Sequence, residues 1–355
     1  MTAADDLARG ARLTAHGEVS TALALHSDEA LGALVDTAVP LGRGIGGKSS
    51  LLEVAGHRVF VKRVPLTDLE RRPEHVRSTA NLFELPDFCQ YGLGGPGFGV
   101  WRELAVHTMT TNWVLAGEHE GFPLMHHWRV LPDATPLHEE LADVEAVVAY
   151  WDDRPQVRRR LHALRDSSAS VALFLEYVPH HLHQWLGTQV AAGEESTDRA
   201  CAMVESQLAA GVSFMNDRGL LHFDAHFENV LTDGRRLYFA DYGLATSSRF
   251  ALSPEHADFY ERHRTYDRSF TTAYLVNWLV TALHGDDPRD RGVREARVRA
   301  YAAGERPTGL PEAAAAIIAR DAPLTALMAD FFRELQHHSR KTPYPQDEVR
   351  RIGGF

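Results

Sequence analysis

The sequence predicts an α+β chain of two lobes, an antiparallel sheet with one helix followed by a mainly helical half. Three observations carry this. Residues 39–64 read as three strands joined by tight glycine turns. After residue 180, helical periodicity dominates. At 355 residues the chain is long enough for two lobes with a proper core, and its 44% hydrophobic and 24% charged content is that of a soluble globular protein.

The elements follow in order. Residues 1–37 read as one or two short amphipathic helices, with Leu23, Leu25, Leu31, Leu34 and Val35 as their apolar positions. Val39-Pro-Leu41 then leads into Gly42-x-Gly44-x-x-Gly47-Lys48-Ser49. These glycines fit a strand–turn–strand cover for phosphates, and by spacing alone they also fit a P-loop. A P-loop must open a helix. The apolar Leu51–Val54 stretch with Gly56 close behind fits a strand better, and His57–Val64 is the next strand. Residues 65–100 form a long connection rich in Pro and Gly. Trp101–Trp113 reads as a helix with Trp101, Leu104, Ala105 and Thr108 on one face.

Phe122–Val130 is a strand, and residues 133–168 look like inserted helical material. The run Arg158-Arg159-Arg160 within it reads as a solvated helix face. Val171–Val178 is a buried strand ending at Pro179. A short helix over His180–Ala191 precedes a longer one over 198–218, capped by Ser196 or Thr197 and ended by Gly219. Asn229–Thr232, a turn at Asp233-Gly234, and Leu237–Asp241 form a hairpin. Residues 268–284 form an apolar core helix, and the remainder is helical with a polar tail.

Composition narrows the function. A net charge of -11 argues against nucleic acid as the main partner. No apolar run reaches the roughly 20 residues of a membrane span. The stretch Met1–Asp6 lacks the basic and apolar segments of a secretory signal, so a cytoplasmic location is expected. Two cysteines, Cys89 and Cys201, make neither a disulfide framework nor a metal quartet. The 20 histidines are scattered and match no metal spacing, so surface or helix-face roles are the default. Of 37 basic side chains only Lys48, Lys62 and Lys341 are lysine. A lysine kept in an arginine-rich chain marks a place where a compact ammonium is needed.

The chemistry concentrates in His222-x-Asp224-x-x-x-x-Asn229 and in Asp241-Tyr242-Gly243. Phosphoryl transfer from ATP needs one carboxylate to hold the acceptor hydroxyl, and an amide and a second carboxylate to hold Mg²⁺. Asp224, Asn229 and Asp241 supply those groups. This set resembles the catalytic loop of the protein-kinase-like superfamily, which includes protein kinases and the aminoglycoside and choline phosphotransferases.

The resemblance implies the two-lobed protein-kinase-like fold. Residues 1–37 would be a helical extension, 38–178 the nucleotide-binding N-lobe with insertions, and 179–355 the catalytic C-lobe. It implies ATP and Mg²⁺ as cofactors, with Asn229 and Asp241 on the metal and Lys62 on the phosphates. Gly42, Gly44 and Gly47 would let backbone amides approach the phosphates. Glu103 would pair with Lys62, although Glu70, Glu74 and Glu84 lie nearer in sequence and stay open. The backbone around Glu176 and Val178 would hold adenine, with Leu231 beneath it, and His222 would support the loop from inside.

Three positions depart from the protein-kinase pattern. Phe223 replaces the arginine that many regulated protein kinases carry, which argues against control by a phosphorylated activation loop. His226 replaces a lysine, and H-x-D-x-H-x-x-N resembles aminoglycoside-type enzymes. Phe60 stands where a small alanine would face adenine. Ser253-Pro-Glu255 follows Asp241 closely, so the segment between is short. The favoured acceptor is a Ser/Thr hydroxyl of a protein or peptide. A small-molecule hydroxyl is the alternative, and a nucleotide-binding pseudokinase is a third reading.

Overall fold

Strand alternation decides how the sheet is covered. In the computed structural model, which describes residues 3–355 and side chains from Asp6 onward, successive residues of the central strand enter different apolar clusters. Val59 and Val61 point to one, Val64 and Leu66 to the other. The first two residues of the N-terminal stretch read above lie outside the described residues. The described chain is mixed α/β, 52% helical, and divides into two compact units. One comprises Met1–Val178, Asp241–Ala245 and Phe250–Ser253; the other comprises Pro179–Ala240, Thr246–Arg249 and Pro254–Phe355.

The first unit opens with helices α1 (Ala3–Ala24) and α2 (Asp28–Asp36). Ser27 caps α2, its hydroxyl accepting from Ala30 N–H at 3.2 Å. Strands β1 (Val39–Gly44), β2 (Gly47–Val54) and β3 (His57–Leu66) follow, then α3 (Val100–Leu115), β4 (Met125–Pro132), α4 (Glu139–Ala142), α5 (Val144–Tyr150), α6 (Pro155–Arg165) and β5 (Ala169–Glu176). The antiparallel sheet has the order β1-β2-β3-β5-β4. Val19, Leu23, Leu31 and Val35 of α1 and α2 cover one face, against Val59, Val61, Ala172 and Phe174. Val100, Trp101 and Leu104 of α3 cover the other, against Val171, Leu173 and Leu175. The helices over residues 1–37 are thus part of the sheet's core.

Two local expectations change. Gly47-Lys48-Ser49 continues as β2 rather than opening a helix, and Lys48 Nζ lies 3.1 Å from Asp133 Oδ1, so the P-loop spacing is coincidental. Arg158 and Arg159 make exposed ion pairs, but Arg160 is buried and pairs with Glu70 at 2.9 Å. A solvated face describes only part of that run.

The second unit contains β6 (His180–His181), α7 (Leu182–Ala191), α8 (Glu194–Asp217), β7 (Leu220–Leu221), β8 (Val230–Thr232), β9 (Leu237–Phe239), β10 (Thr246–Ser247), α9 (Pro254–Arg262), α10 (Tyr266–His284), α11 (Arg291–Ala302), α12 (Glu312–His337) and α13 (Gln346–Gly353). The long helix α8 starts earlier than its sequence caps suggest. Gly193 stands at the N-cap, and Thr197, inside the first turn, donates to Gly193 O at 2.9 Å. Glycine is required within α8 at Gly211, where a Cβ would come within 2.2 Å of the Phe239 ring. The helix therefore lies directly on the β8–β9 hairpin, whose pairs are Val230–Phe239, Leu231–Tyr238 and Thr232–Leu237. Gly219, at φ +74°, turns the chain from α8 into β7 and the loop beyond it.

Candidate active site

Lys62 lies in the central strand β3, opposite Ser49 on one side and Leu173 on the other. The strand alternation puts it on the α3 side of the sheet. Its Nζ is 2.7 Å from Glu103 Oε1 and 2.7 Å from Asp241 Oδ1. Lys62 and Glu103 are 7% and 2% exposed, so that pair acts through little water, whereas the Asp241 side chain is 41% exposed. Burial alone would lower the lysine's pKa; Asp241 and Glu103 outweigh it and hold the ammonium above its ordinary range. Of the acids nearer in sequence, none takes Glu103's place. Glu84 pairs with Arg159, and Glu74 is exposed in a short turn.

Glu70 has a different task. Its carboxylate accepts from Thr67 N–H at 3.0 Å, from the Thr67 hydroxyl at 2.6 Å, and from Val100 N–H at 3.1 Å. Its carbonyl accepts from Trp101 Nε1 at 2.9 Å. Val100 is the first residue of α3, so Glu70 satisfies a donor that a helix start leaves unpaired. Gly99 makes this possible. Its φ is +132°, and a Cβ there would lie 2.6 Å from Glu70 Oε1. The Glu70–Arg160 pair therefore fixes the start of the helix that presents Glu103.

Asp241 has φ +59°, in the left-handed region that costs a non-glycine residue energy. Gly243 N–H donates to Asp241 Oδ1 at 3.3 Å. Tyr242 is fully buried and meets His107 of α3 edge-on at 4.8 Å. His107 lies one turn beyond Glu103, with Nε2 3.9 Å from Glu103 Oε1. One face of α3 thus engages both the lysine's partner and the residue beside Asp241.

The glycines divide by cause. Gly47 is fixed by packing, with φ +130° and a would-be Cβ 2.2 Å from Arg63 O. A Cβ at Gly42 or Gly44 would meet no atom within 4 Å. Only a ligand would exclude side chains there. Gly46, which the sequence reading passed over, approaches the lysine itself: a Cβ would lie 3.3 Å from Lys62 Nζ.

Further along the first unit, Glu176 is clamped by a residue the sequence reading did not single out. Arg12 of α1 donates to both Glu176 oxygens, at 2.6–2.9 Å, and also to Glu120 O and Oε2 and to Phe122 O. Glu176 N–H is taken by Leu124 O at 2.8 Å. Phe60 packs, partly buried, against the α3-side cluster, on the same strand face as Lys62.

In the second unit the loop from His222 to Asn229 is tied at every step. His222 Nε2 faces Ala240 O at 3.0 Å and so carries the ring proton; Nδ1 then accepts from Asp224 N–H at 3.3 Å. Asn229 Nδ2 donates to Asp224 O at 3.0 Å and to Asp224 Oδ2 at 3.2 Å. Ala240, the residue before Asp241, donates its N–H to Asn229 O at 2.9 Å. His226 Nδ1 accepts from Glu228 N–H at 3.2 Å, and its Nε2 lies 3.8 Å from Asp224 Oδ2. Leu231 lies in β8, opposite Tyr238 and His181.

Phe223 also has positive φ, +64°. Its ring stacks on Tyr266 at 4.6 Å and Phe259 at 5.6 Å. The strained turn is held by Asp267, which accepts from His222 N–H at 2.6 Å and Phe223 N–H at 2.8 Å. Burial raises the Asp267 carboxyl to about 6 against the pull of these two donors. Nothing in the sequence separated Asp267 from an ordinary acid in a helix's first turn.

With Asn229 Nδ2 committed to Asp224, the amide oxygen is the atom of Asn229 left for a ligand. Among the described residues no group of three or more His, Cys, Asp or Glu is placed to hold a metal, and no helix is long and apolar enough to cross a membrane.

No family model matches the chain. Over 197 residues, 54% of its length, it is 25% identical to the CTD kinase subunit alpha of Saccharomyces cerevisiae, and the match spans 32% of that protein. The chain is thus distantly similar, over part of its length, to a kinase subunit.

Proposed function

We propose that the protein is an ATP- and Mg²⁺-dependent kinase with a protein-kinase-like fold, acting on a hydroxyl acceptor, in the first instance Ser or Thr of a protein or peptide. The observation that carries this reading is the meeting of Lys62, Glu103 and Asp241 at 2.7 Å contacts, from three segments far apart in sequence. An ammonium held charged by two carboxylates is suited to phosphate oxygens. The partial likeness to a kinase subunit agrees with it.

In this reading Lys62 binds nucleotide phosphates and Glu103 keeps it in place. Asp241 and the Asn229 amide oxygen would hold Mg²⁺, which when bound screens the phosphate charge. Asp224 orients the acceptor hydroxyl and takes its proton as the oxygen attacks phosphorus. The Asn229–Asp224 hydrogen bonds fix that carboxylate. The glycines over 42–47 admit the phosphates, the backbone near Glu176 and Val178 holds adenine, and Leu231 lies under it.

A small-molecule acceptor is the second reading, favoured by His226 at the place of a lysine and by the short segment after Asp241. The first test is thermal. Mg·ATP should raise the melting temperature of the wild type and ADP should accumulate, with both effects weakened in Asp241→Ala. A wild type indifferent to Mg·ATP would remove the proposal. ATP binding without ADP formation under any acceptor would leave a nucleotide-binding pseudokinase, the reading that Phe60 favours.

A further inference from the structure

One face of α1 runs from the sheet core to the end of β5. Arg12, His16, Val19 and Leu23 recur at helical spacing and share that face. Val19 and Leu23 are buried against the sheet, and His16 Nδ1 meets His126 Nδ1 of β4 at 3.1 Å. Arg12 Nε lies 2.7 and 2.9 Å from the two Glu176 oxygens, and Nη2 lies 2.6 Å from Oε2. Leu124 N–H donates to the same Oε2 at 3.0 Å. Arg12 Nη1 is shared with Glu120, 2.9 Å from Oε2 and 3.0 Å from its carbonyl. Arg9, about one turn earlier, lies 2.9 Å from the other Glu120 oxygen and reaches the carbonyls of Val114 and Leu115 at 3.4 and 3.3 Å. These are the last carbonyls of α3, which a helix end leaves without intrahelical donors.

An apolar face alone would seat α1, and exposed ion pairs add little. The Arg12 and Glu176 side chains, however, are only 9% and 20% exposed, and a guanidinium fork on a carboxylate is the strong form of such a pair. The place of the tie gives it meaning. Lys62 of β3 is paired with Leu173 of β5, and Glu176 lies three residues further along β5. At the rise of a strand that is about 10 Å, the order of separation across which an extended nucleotide joins its phosphates to its base. The next residue, Tyr177, has a second cation over its ring, Arg58 of β3 at 5.6 Å.

We propose that Arg12 is a positioning residue for nucleotide binding. By clamping Glu176 it holds the backbone of residues 176–178 where the base is received, so α1 sets the affinity for the base end of the nucleotide and not for its phosphates. This rests on the reading that this backbone holds adenine. Arg9 and Glu120 brace the clamp and tie it to the far end of the helix that presents Glu103.

The test separates the two ends of the nucleotide on the full chain. Mg·ATP and Mg·tripolyphosphate, which carries no base, are titrated calorimetrically into the wild type and its variants, and the ratio of the two affinities measures the share of the base. The wild type should prefer Mg·ATP. Arg12→Ala should lower Mg·ATP affinity about tenfold and leave Mg·tripolyphosphate unchanged. Because that truncation can also unseat α1, Arg12→Lys is the deciding variant: it keeps a cation against Glu120 and Glu176 but not the planar fork. It should melt close to the wild type and still lose most of the preference. Glu176→Gln should lose it as well, and the double variant no more than either alone, since both break one contact. An Arg12→Lys protein with the preference of the wild type overturns the proposal and spares the adenine reading. A loss equal for both probes also overturns it, because it marks a structural role only. A wild type that binds both probes alike removes the adenine reading and the proposal with it.

Discussion

At the scale of single residues, two buried charges dominate. Lys62 is kept as an ammonium by two carboxylates, and Glu103→Ala removes the fully buried one. The remaining pair with Asp241 is more exposed, so phosphate binding should weaken by about 10- to 100-fold in ATP affinity or kcat/KM, since loss of a charged partner is commonly worth about 1.5–3 kcal/mol. Isothermal titration with Mg·ATP reads this directly. Asp267 gives a pH signature. Its carboxyl releases its proton at about 6 in the fold, against 3.8 as a free side chain. Between those values the folded chain holds more protons than the unfolded one, so this residue's contribution to stability falls as pH rises through the window and is complete below it. Urea midpoints measured from about pH 4 to 7 should show this fall in the wild type and lose it in Asp267→Asn. A parallel pair of curves would refute the assignment. Asp267→Ala should also cost about 2–4 kcal/mol, because two buried N–H donors lose their acceptor.

At the scale of elements, α3 shows how a distant ion pair governs the site. Its first residue is bonded by Glu70, and Glu70 is held by Arg160 in a pair that is nearly fully buried. Glu70→Ala should destabilise the first unit by about 3–5 kcal/mol, since it strands a buried guanidinium, and should loosen the Lys62–Glu103 contact in the process. A denaturation midpoint within error of wild type would mean that Gly99 and the apolar face alone position the helix. This element also marks how far the sequence could be read. The helix over 101–113 and Glu103 were legible from periodicity and motif order. The choice of Glu103 over Glu70 was not, because it depends on a contact between Glu70 and Arg160 90 residues apart. Likewise the spacing Gly42–Gly44–Gly47 was visible, yet packing demands glycine only at Gly47, which the backbone of β3 at Arg63 reveals. The cap of α8 lies at Gly193 rather than at Ser196 or Thr197, whose hydroxyls donate instead to Gln189 Oε1 and Gly193 O.

At the scale of the whole molecule, the helices before residue 38 belong to the sheet. They bury Val19, Leu23, Leu31 and Val35 completely or nearly so, and Arg12 ties α1 to Glu176, Glu120 and Phe122. Removing residues 1–37 should therefore expose Val59, Val61 and Phe174 and produce an aggregating first unit, measurable as loss of its cooperative melt. A truncated chain that melts like the full one would show the helices to be dispensable. The measurement that bears most directly on the central claim is transfer of label from γ-labelled ATP with Mg²⁺, using purified wild-type and Asp224→Ala proteins and a size-fractionated lysate of the source cells. The account predicts label in the macromolecular fraction with the wild type and its loss by a factor of about 10²–10⁴ in the variant, with Mg·ATP affinity near normal. Label that persists at full rate in Asp224→Ala would contradict it.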